Sequence, residues 1–288
     1  MKNLLKNFVS PRFSFQIVIF VLLSIVLFAC RQGQEPQTGT GVYKGFSYVV
    51  NLMGNVEITG YSGTKTDIAI PSQIENRPVV VIRGRQYMPG TWPLSFIDGA
   101  LENKNLTSVI LPDTLQCIYS GAFANNSFTE IHFPDNLTRI DSLAFMNNQL
   151  NSIVISNNVG EIAPQTFEGN KINNVTIGNG VEHIEYAAFR NNEITKLYLP
   201  EGLSSISWSA FEGNSLSRLS IPSGVRIWYN AFKGNSITHL DIGENVQLFG
   251  SPNFPVFELG FDEFFLGNES KAGSYLYENG KWEFMPGE

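Results

Sequence analysis

The chain has little of what most catalytic, metal-binding or cross-linked proteins depend on. Two cysteines and three histidines occur in 288 residues, and only 16% of residues are charged. Two cysteines can make one disulfide at most, so a disulfide-built scaffold is excluded. His132, His183 and His239 are far apart, with no His-x-x-x-His pair and no Gly-rich phosphate loop anywhere; no cofactor and no metal are expected. The net charge of −7 repels phosphate backbones and argues against nucleic acid as a partner.

What is abundant is repetition. Units begin at Leu106, Phe128, Leu150, Ile172, Ile194, Leu216 and Ile237. Six carry a two-residue mark: Ala122-Phe123, Ala144-Phe145, Thr166-Phe167, Ala188-Phe189, Ala210-Phe211 and Ala231-Phe232. The step is 22 residues, shortened to 21 only between Phe211 and Phe232. A fixed period of this length means a solenoid, in which each coil buries its apolar face only against its neighbours. Within a unit, apolar-x-apolar has period two and predicts a short strand, which a following Pro, Gly or Ser ends. A coil this short leaves no room for a long helix, so the remainder is expected as turn and extended chain.

The Phe of the mark returns at one place in every coil and should stack as an internal aromatic column. Asn126, Asn148, Asn170, Asn192, Asn214 and Asn235 also fall in register. A buried Asn offers two donors and an acceptor to backbone groups that a turn leaves unpaired, so these six predict a structural ladder.

The unit resembles the BspA-like leucine-rich repeat, the bacterial surface type with the form LxxLxLPxxLxxIxxxAFxxN. Residues 194–211 carry the likeness most fully: Ile194-Thr-Lys-Leu-Tyr-Leu-Pro200, then Leu203, Ile206 and Ala210-Phe211. The one departure there is Ile194 for Leu. The likeness spans roughly residues 66 to 243. It implies a leucine-rich-repeat solenoid, a right-handed superhelix of short parallel strands with hairpin caps at both ends. It also implies a binding scaffold rather than an enzyme, with attachment to host matrix proteins in some members.

The ends differ in texture. Lys2, Lys6 and Arg12 precede an uncharged run from Phe13 to Ala29, and Leu27-Phe28-Ala29-Cys30 resembles a lipobox. Residues 1–29 are therefore expected to be a lipoprotein signal peptide, with Cys30 the lipid-bearing residue. An uncleaved anchor or a plain secretory signal are the alternatives, although a run of this length barely spans a bilayer. Removing the segment takes away three cations and no acid. If the host is diderm, Arg31 after the cysteine favours the outer membrane. Residues 30–44 read as a flexible tether, 45–65 as an N-terminal hairpin cap, 66–249 as the repeats and 250–288 as a C-terminal cap. In that last stretch Asn279-Gly280 predicts a hairpin turn, and Tyr275, Tyr277, Trp282 and Phe284 are expected to close the core. Residues 83–96 interrupt the first coil. They bring Arg83, Arg85, Tyr87, Met88 and Trp92 into a loop, either for ligand contact or, through Trp92 and Phe96, to cover the cap.

Alternation places two rows on the outer face of the strands. One runs Ser108, Glu130, Ser152, Asn174, Lys196, Arg218, His239; the other Ile110, His132, Val154, Thr176, Tyr198, Ser220, Asp241. A third row, in the turn before the mark, runs Ser120, Ser142, Pro164, Tyr186, Trp208 and then Trp228 or Tyr229. The candidate ligand contacts are Lys196, Tyr198, Arg218, His239, Tyr186, Trp208 and Trp228, together with Arg85, Tyr87 and Trp92 of the insertion. The alternative for the aromatic rings is that they shield the turns. Cys117 shares a column with Arg139, Glu161, His183 and Ser205 and is expected outward or near a rim. The register is expected to support no Ser-His-Asp geometry, so no catalytic residue is assigned. The expected partner is a protein or glycan outside the cell, met on host matrix or another cell surface. The membrane is touched only through the N-terminal lipid, and the domain lies in the cell envelope, at the outer membrane and surface-exposed. The alternative is an envelope scaffold that docks partner proteins.

Overall fold

A computed structural model describes residues 39–88, 95–251 and 255–285. The expected signal peptide, Cys30 and the first part of the tether lie outside the described residues. The cap comprises β1 (Gly39–Tyr43), β2 (Phe46–Val50) and β3 (Val56–Tyr61), an antiparallel meander. Gly39–Tyr43 was expected within the tether. It is a strand because all five of its residues pair with Phe46–Val50, and backbone pairing overrides its polar composition.

The first coils contain β4 (Asp67–Ala69), β5 (Gln73–Ile74), β6 (Arg77–Ile82), β7 (Gln86–Met88), β8 (Ser95–Ile97), β9 (Ser108–Ile110), β10 (Cys117–Ile118) and β11 (Arg139–Ile140). Then follow β12 (Ser152–Val154), β13 (Glu161–Ile162), β14 (Asn174–Thr176), β15 (His183–Ile184), β16 (Ser205–Ile206), β17 (Arg218–Ile221), β18 (Arg226–Trp228), β19 (His239–Ile242) and β20 (Gln247–Phe249). Each coil thus offers two extended faces, where the period-two pattern had marked one. On the first face β4 pairs β9, β12 pairs β14 and β17 pairs β19, all parallel. On the second, β3, β6, β10 and β11 run parallel in turn, and β13, β15, β16, β18 and β20 form a continuous parallel ladder. The first-face ladder is interrupted: Glu130–His132 forms no strand, and Lys196 makes only an isolated bridge to Asn174. Backbone bonds still cross the gaps, Asn151 N–H donating to Thr129 O and Glu193 N–H to Ile172 O at 3.0 Å each, but a regular ladder does not run the whole length of the row.

The aromatic column is present. Successive rings of Phe123, Phe145, Phe167, Phe189, Phe211 and Phe232 stand 5.2, 5.9, 5.4, 5.3 and 5.4 Å apart, stacked within 16° of parallel. It runs one ring further than the repeat pattern suggested, to Phe257, 5.1 Å from Phe232. Backbone rungs hold the column: Phe145 N–H donates to Thr166 O, Phe167 N–H to Ala188 O, and Phe232 N–H to Val256 O, at 2.9, 2.9 and 3.0 Å. Leu101 takes the Phe position in the first coil, donating to Ala122 O at 2.9 Å. The Asn ladder is as regular. Each Asn from 148 to 235 accepts from the backbone N–H of the residue that opens its own unit and donates to two Phe carbonyls, its own and the preceding one.

The far end closes on α1 (Phe261–Gly267), β21 (Gly273–Glu278) and β22 (Lys281–Met285). The two strands form a hairpin over Asn279-Gly280, and β21 adds antiparallel to β19, extending the first face. The stack ends where Phe261 turns edge-on to Phe257, Tyr275 and Trp282. The Asp262 carboxylate accepts from Val256 N–H and Phe257 N–H at 2.6 and 3.0 Å, fixing the last coil to the helix.

Candidate functional site

The first face of the last three coils gathers four of the expected contacts. Lys196, Tyr198 and Arg218 are exposed and His239 is half-buried; Tyr198 reaches 79% exposure. Alternation explains this, since the intervening Leu197, Leu219 and Leu240 face the core at 6, 3 and 1% exposure. Arg218 and His239 are direct partners in the β17–β19 register. An Arg Nη2 can only donate, so the 3.3 Å contact makes His239 Nε2 the acceptor. Its Nδ1 lies 3.0 Å from Thr238 Oγ1, so the ring is held between Thr238 and the Arg218 guanidinium. Among the described residues no carboxylate lies within 4.0 Å of Lys196 or Arg218. The hairpin borders the patch, with Leu276 paired to His239 and Ser274 Oγ donating to Asp241 Oδ1 at 2.6 Å.

The aromatic row lies along the turn beside the second face, apart from this patch. Ala187 N–H donates to Trp208 O and Ser209 N–H to Tyr229 O, so the register puts Tyr229, not Trp228, in line with Tyr186 and Trp208. Tyr186 and Trp208 are 40 and 53% exposed, and Trp208 meets Tyr229 edge-on at 5.8 Å. Trp228 belongs to the neighbouring column. It stacks on Phe249 at 5.2 Å under the Arg226 guanidinium, which gives it a packing role.

Arg85 is partly exposed and ion-paired within the fold. Its Nε donates to Glu102 Oε2 at 2.9 Å and its Nη2 to Oε1 of the same carboxylate. Glu102 is 2% exposed and also accepts from Gly99 N–H and Asn125 Nδ2. Burial pushes this carboxyl's pKa up, but the guanidinium, the Gly99 N–H and the Asn125 amide together bring it below the usual value. The arginine therefore ties the insertion to the first coil, and Arg83 ties it to the cap through Glu57 of β3 at 2.7 Å. Backbone pairing of β7 with β8 makes the insertion a hairpin. The Tyr87 side chain and Trp92 lie outside the described residues.

Two expectations about the second face are corrected. Cys117 is buried at 0% exposure, because its column continues inward into Val81 and Glu57, at 5 and 8%. The register also does bring serine, histidine and acid side by side: Glu161, His183 and Ser205 are successive partners, and His183 Nδ1 lies 2.8 Å from Ser205 Oγ. Ser205 is 7% exposed, so its hydroxyl is covered and the contact serves to tie two strands. Glu161 has its pKa raised by burial and by the nearby Glu185 carboxylate. A groove of about 700 Å³ on the first face, lined by Glu130, His132, Phe133, Asp135, Val154 and Asn157, sits over the interrupted ladder. Among the described residues no three His, Cys, Asp or Glu are placed to hold a metal ion.

Stacked parallel strands, the Phe column and the Asn ladder define a leucine-rich-repeat solenoid. The chain matches the BspA type leucine rich repeat region in 6 copies, over residues 95–214 and 138–259. That is more than half of its length, and it belongs to this family. Repeat proteins of this family are non-enzymatic binding scaffolds. The pneumococcal vaccine antigen PcpA is similar in structure, with a TM-score of 0.51 at 14% identity, covering 75% of this chain and 67% of that one. A leucine rich cell surface protein of Faecalibacterium prausnitzii A2-165 gives 0.49 at 21% identity, covering 77 and 75%. The leucine rich repeat protein of T. pallidum gives 0.46 at 23%, covering 61 and 89%. No curated protein matches the chain. Among the described residues no helix is long and apolar enough to cross a membrane.

Proposed function

We propose that this is a lipid-anchored protein of the cell envelope, held by Cys30, that binds a protein or glycan outside the cell and serves adhesion to host matrix or neighbouring cells. The observation that carries the reading is the patch of Lys196, Tyr198, Arg218 and His239. Two cations without acidic partners and one exposed ring stand together on a rigid core, in a chain whose net charge is −7. Tyr186, Trp208 and the insertion are secondary contacts in this reading. A second reading, an envelope scaffold docking partner proteins, is favoured by the exposed aromatic row, which suits an apolar protein interface.

Protease shaving of intact cells separates the two. The adhesin is cleaved from outside and a periplasmic scaffold is not. Combined alanine substitution of Lys196, Tyr198 and Arg218 should abolish attachment while leaving the thermal midpoint unchanged. The anchor is tested by mass spectrometry of the mature N-terminus: Cys30 should carry a thioether-linked diacylglycerol, and its recovery in a disulfide with Cys117 refutes lipidation.

A further inference from the structure

We infer that the Lys196–Tyr198–Arg218–His239 patch takes an anionic polysaccharide, a sugar chain bearing carboxylate or sulfate groups laid along the solenoid axis. This rests on the binding reading above and names its ligand class.

Charge complementarity is the first ground. Arg83, Arg85, Arg139 and Arg190 are each ion-paired within the fold, as are Lys271 and Lys281. Lys196 and Arg218 stand on consecutive coils with no such partner, and His239 follows on the next. The acids bordering them are already engaged, Asp241 by Ser274 and Glu283 by Lys281. One guanidinium nitrogen of Arg218 is given to His239, which orients the rest of the fork toward an incoming anion. A polymer running along the axis meets one basic or imidazole group per coil.

The second ground is what surrounds the charges. Protein interfaces place an apolar, charge-depleted centre inside a polar rim. Here the centre is charged, and its neighbours Thr176, Thr195, Ser217, Ser220 and Thr238 carry hydroxyls. The apolar side chains there are Tyr198 and, at the hairpin edge, the half-buried Leu276 beside His239; the row neighbours of Tyr198, Thr176 and Ser220, are short. The Tyr198 ring stands clear, with the electron-rich face open to the C–H face of a sugar ring and the hydroxyls beside it suited to sugar hydroxyls.

The mature, full-length chain should be titrated with polygalacturonate and heparin, with neutral dextran and poly-L-glutamate as comparators. Both anionic sugars should bind, dextran should not, and poly-L-glutamate should bind at least tenfold more weakly, on the order of one broken charged contact. Lys196→Ala and Arg218→Ala should each weaken binding about tenfold and lower the slope of log K against log salt by up to about 1. Tyr198→Ala should weaken sugar binding without changing that slope. Equal binding of dextran, or poly-L-glutamate binding as tight as polygalacturonate with Tyr198→Ala silent, overturns the inference. If the variants lose cell attachment yet no anionic sugar binds the wild type, the ligand class is wrong and the binding reading stands. If they alter neither attachment nor any binding, both fall.

Discussion

Replacing Asn170 with alanine should lower the stability of the solenoid by about 3–5 kcal/mol, and the figure can be built contact by contact. Asn170 Oδ1 accepts from Leu150 N–H at 3.1 Å; its Nδ2 donates to Phe145 O and Phe167 O at 3.0 and 3.1 Å. The two carbonyls are not orphaned by its loss, because Asn148 still donates to Phe145 O and Asn192 to Phe167 O. Leu150 is fully buried, and its N–H is left without that acceptor. An orphaned buried N–H costs about 1–3 kcal/mol and each lost bond to a still-satisfied carbonyl about 1 kcal/mol. Asn170→Asp separates acceptance from donation. The introduced carboxylate can still accept from Leu150 N–H, but when ionised it faces two carbonyls with no proton to give. Its pKa in the fold is thereby raised above the unfolded value, so stability is kept in acid and lost as pH rises through the raised value. Urea denaturation followed by far-UV circular dichroism at pH 7 and pH 4 reads both effects. A cost below about 1 kcal/mol for Asn170→Ala, or a gap between Asn170→Asp and wild type that does not narrow in acid, would refute the reasoning.

Four further outcomes follow from the same contacts. Phe167→Ala, which removes a ring stacked on both Phe145 and Phe189, should cost about 3–5 kcal/mol in the same denaturation experiment. Asn191 has a left-handed backbone, φ 54°; Asn191→Ala should cost on the order of 1 kcal/mol and Asn191→Gly only a few tenths, as thermal melts will show. Arg85→Ala leaves the Glu102 carboxylate buried without its cation, and hydrogen exchange should speed up in residues 83–102. Since the Glu102 pKa is depressed in the fold, its contribution is present above the unfolded value and lost as pH falls through the folded one, so wild type should show the same loosening in acid. Glu161 has a raised pKa and the opposite sign: its contribution is kept below the unfolded value and lost as pH rises through the folded one. Glu161→Gln should therefore raise the melting temperature at pH 7 and leave it unchanged at pH 3.

The parts of the fold legible in the sequence are those that repeat with a distinctive side chain. Phe and Asn each recur at one place per coil because the rings stack and the amides hydrogen-bond from coil to coil. The second face was hidden because its strands are two residues long in most coils, as in Arg139–Ile140 and His183–Ile184; one inward residue makes no alternation. Phe257 was hidden because it follows Phe232 by 25 residues where the step is otherwise 21 or 22. A further column, Asn125, Asn147, Gly169, Asn191, Gly213 and Gly234, has φ between 54 and 76°. Its restriction to Asn and Gly suits a left-handed backbone, whereas Leu143, Gln165, Ala187 and Ser209 hold the other left-handed place of their coils, at φ 64, 58, 52 and 55°, with no such signature in the sequence. In the site, the outward rows followed from alternation alone. The Arg85–Glu102 tie and the burial of Cys117 did not, because they depend on which coil the insertion and the cap fold against.

The separation of these columns bears on how binding could be altered. Phe and Asn form the links between coils, and neither column reaches the patch. Lys196, Tyr198 and Arg218 take part in neither the ring column nor the Asn ladder, and their side chains stand in solvent. Substituting them should move stability by no more than about 0.5 kcal/mol, so a loss of binding there reports the contact itself. His239 is the exception. It touches Thr238 and Arg218 at once and is half-buried against the hairpin, so His239→Ala should weaken binding partly by releasing the Arg218 guanidinium. Arg218→Ala combined with His239→Ala should then weaken binding by less than the sum of the two single losses, which is what a residue acting through its neighbour predicts.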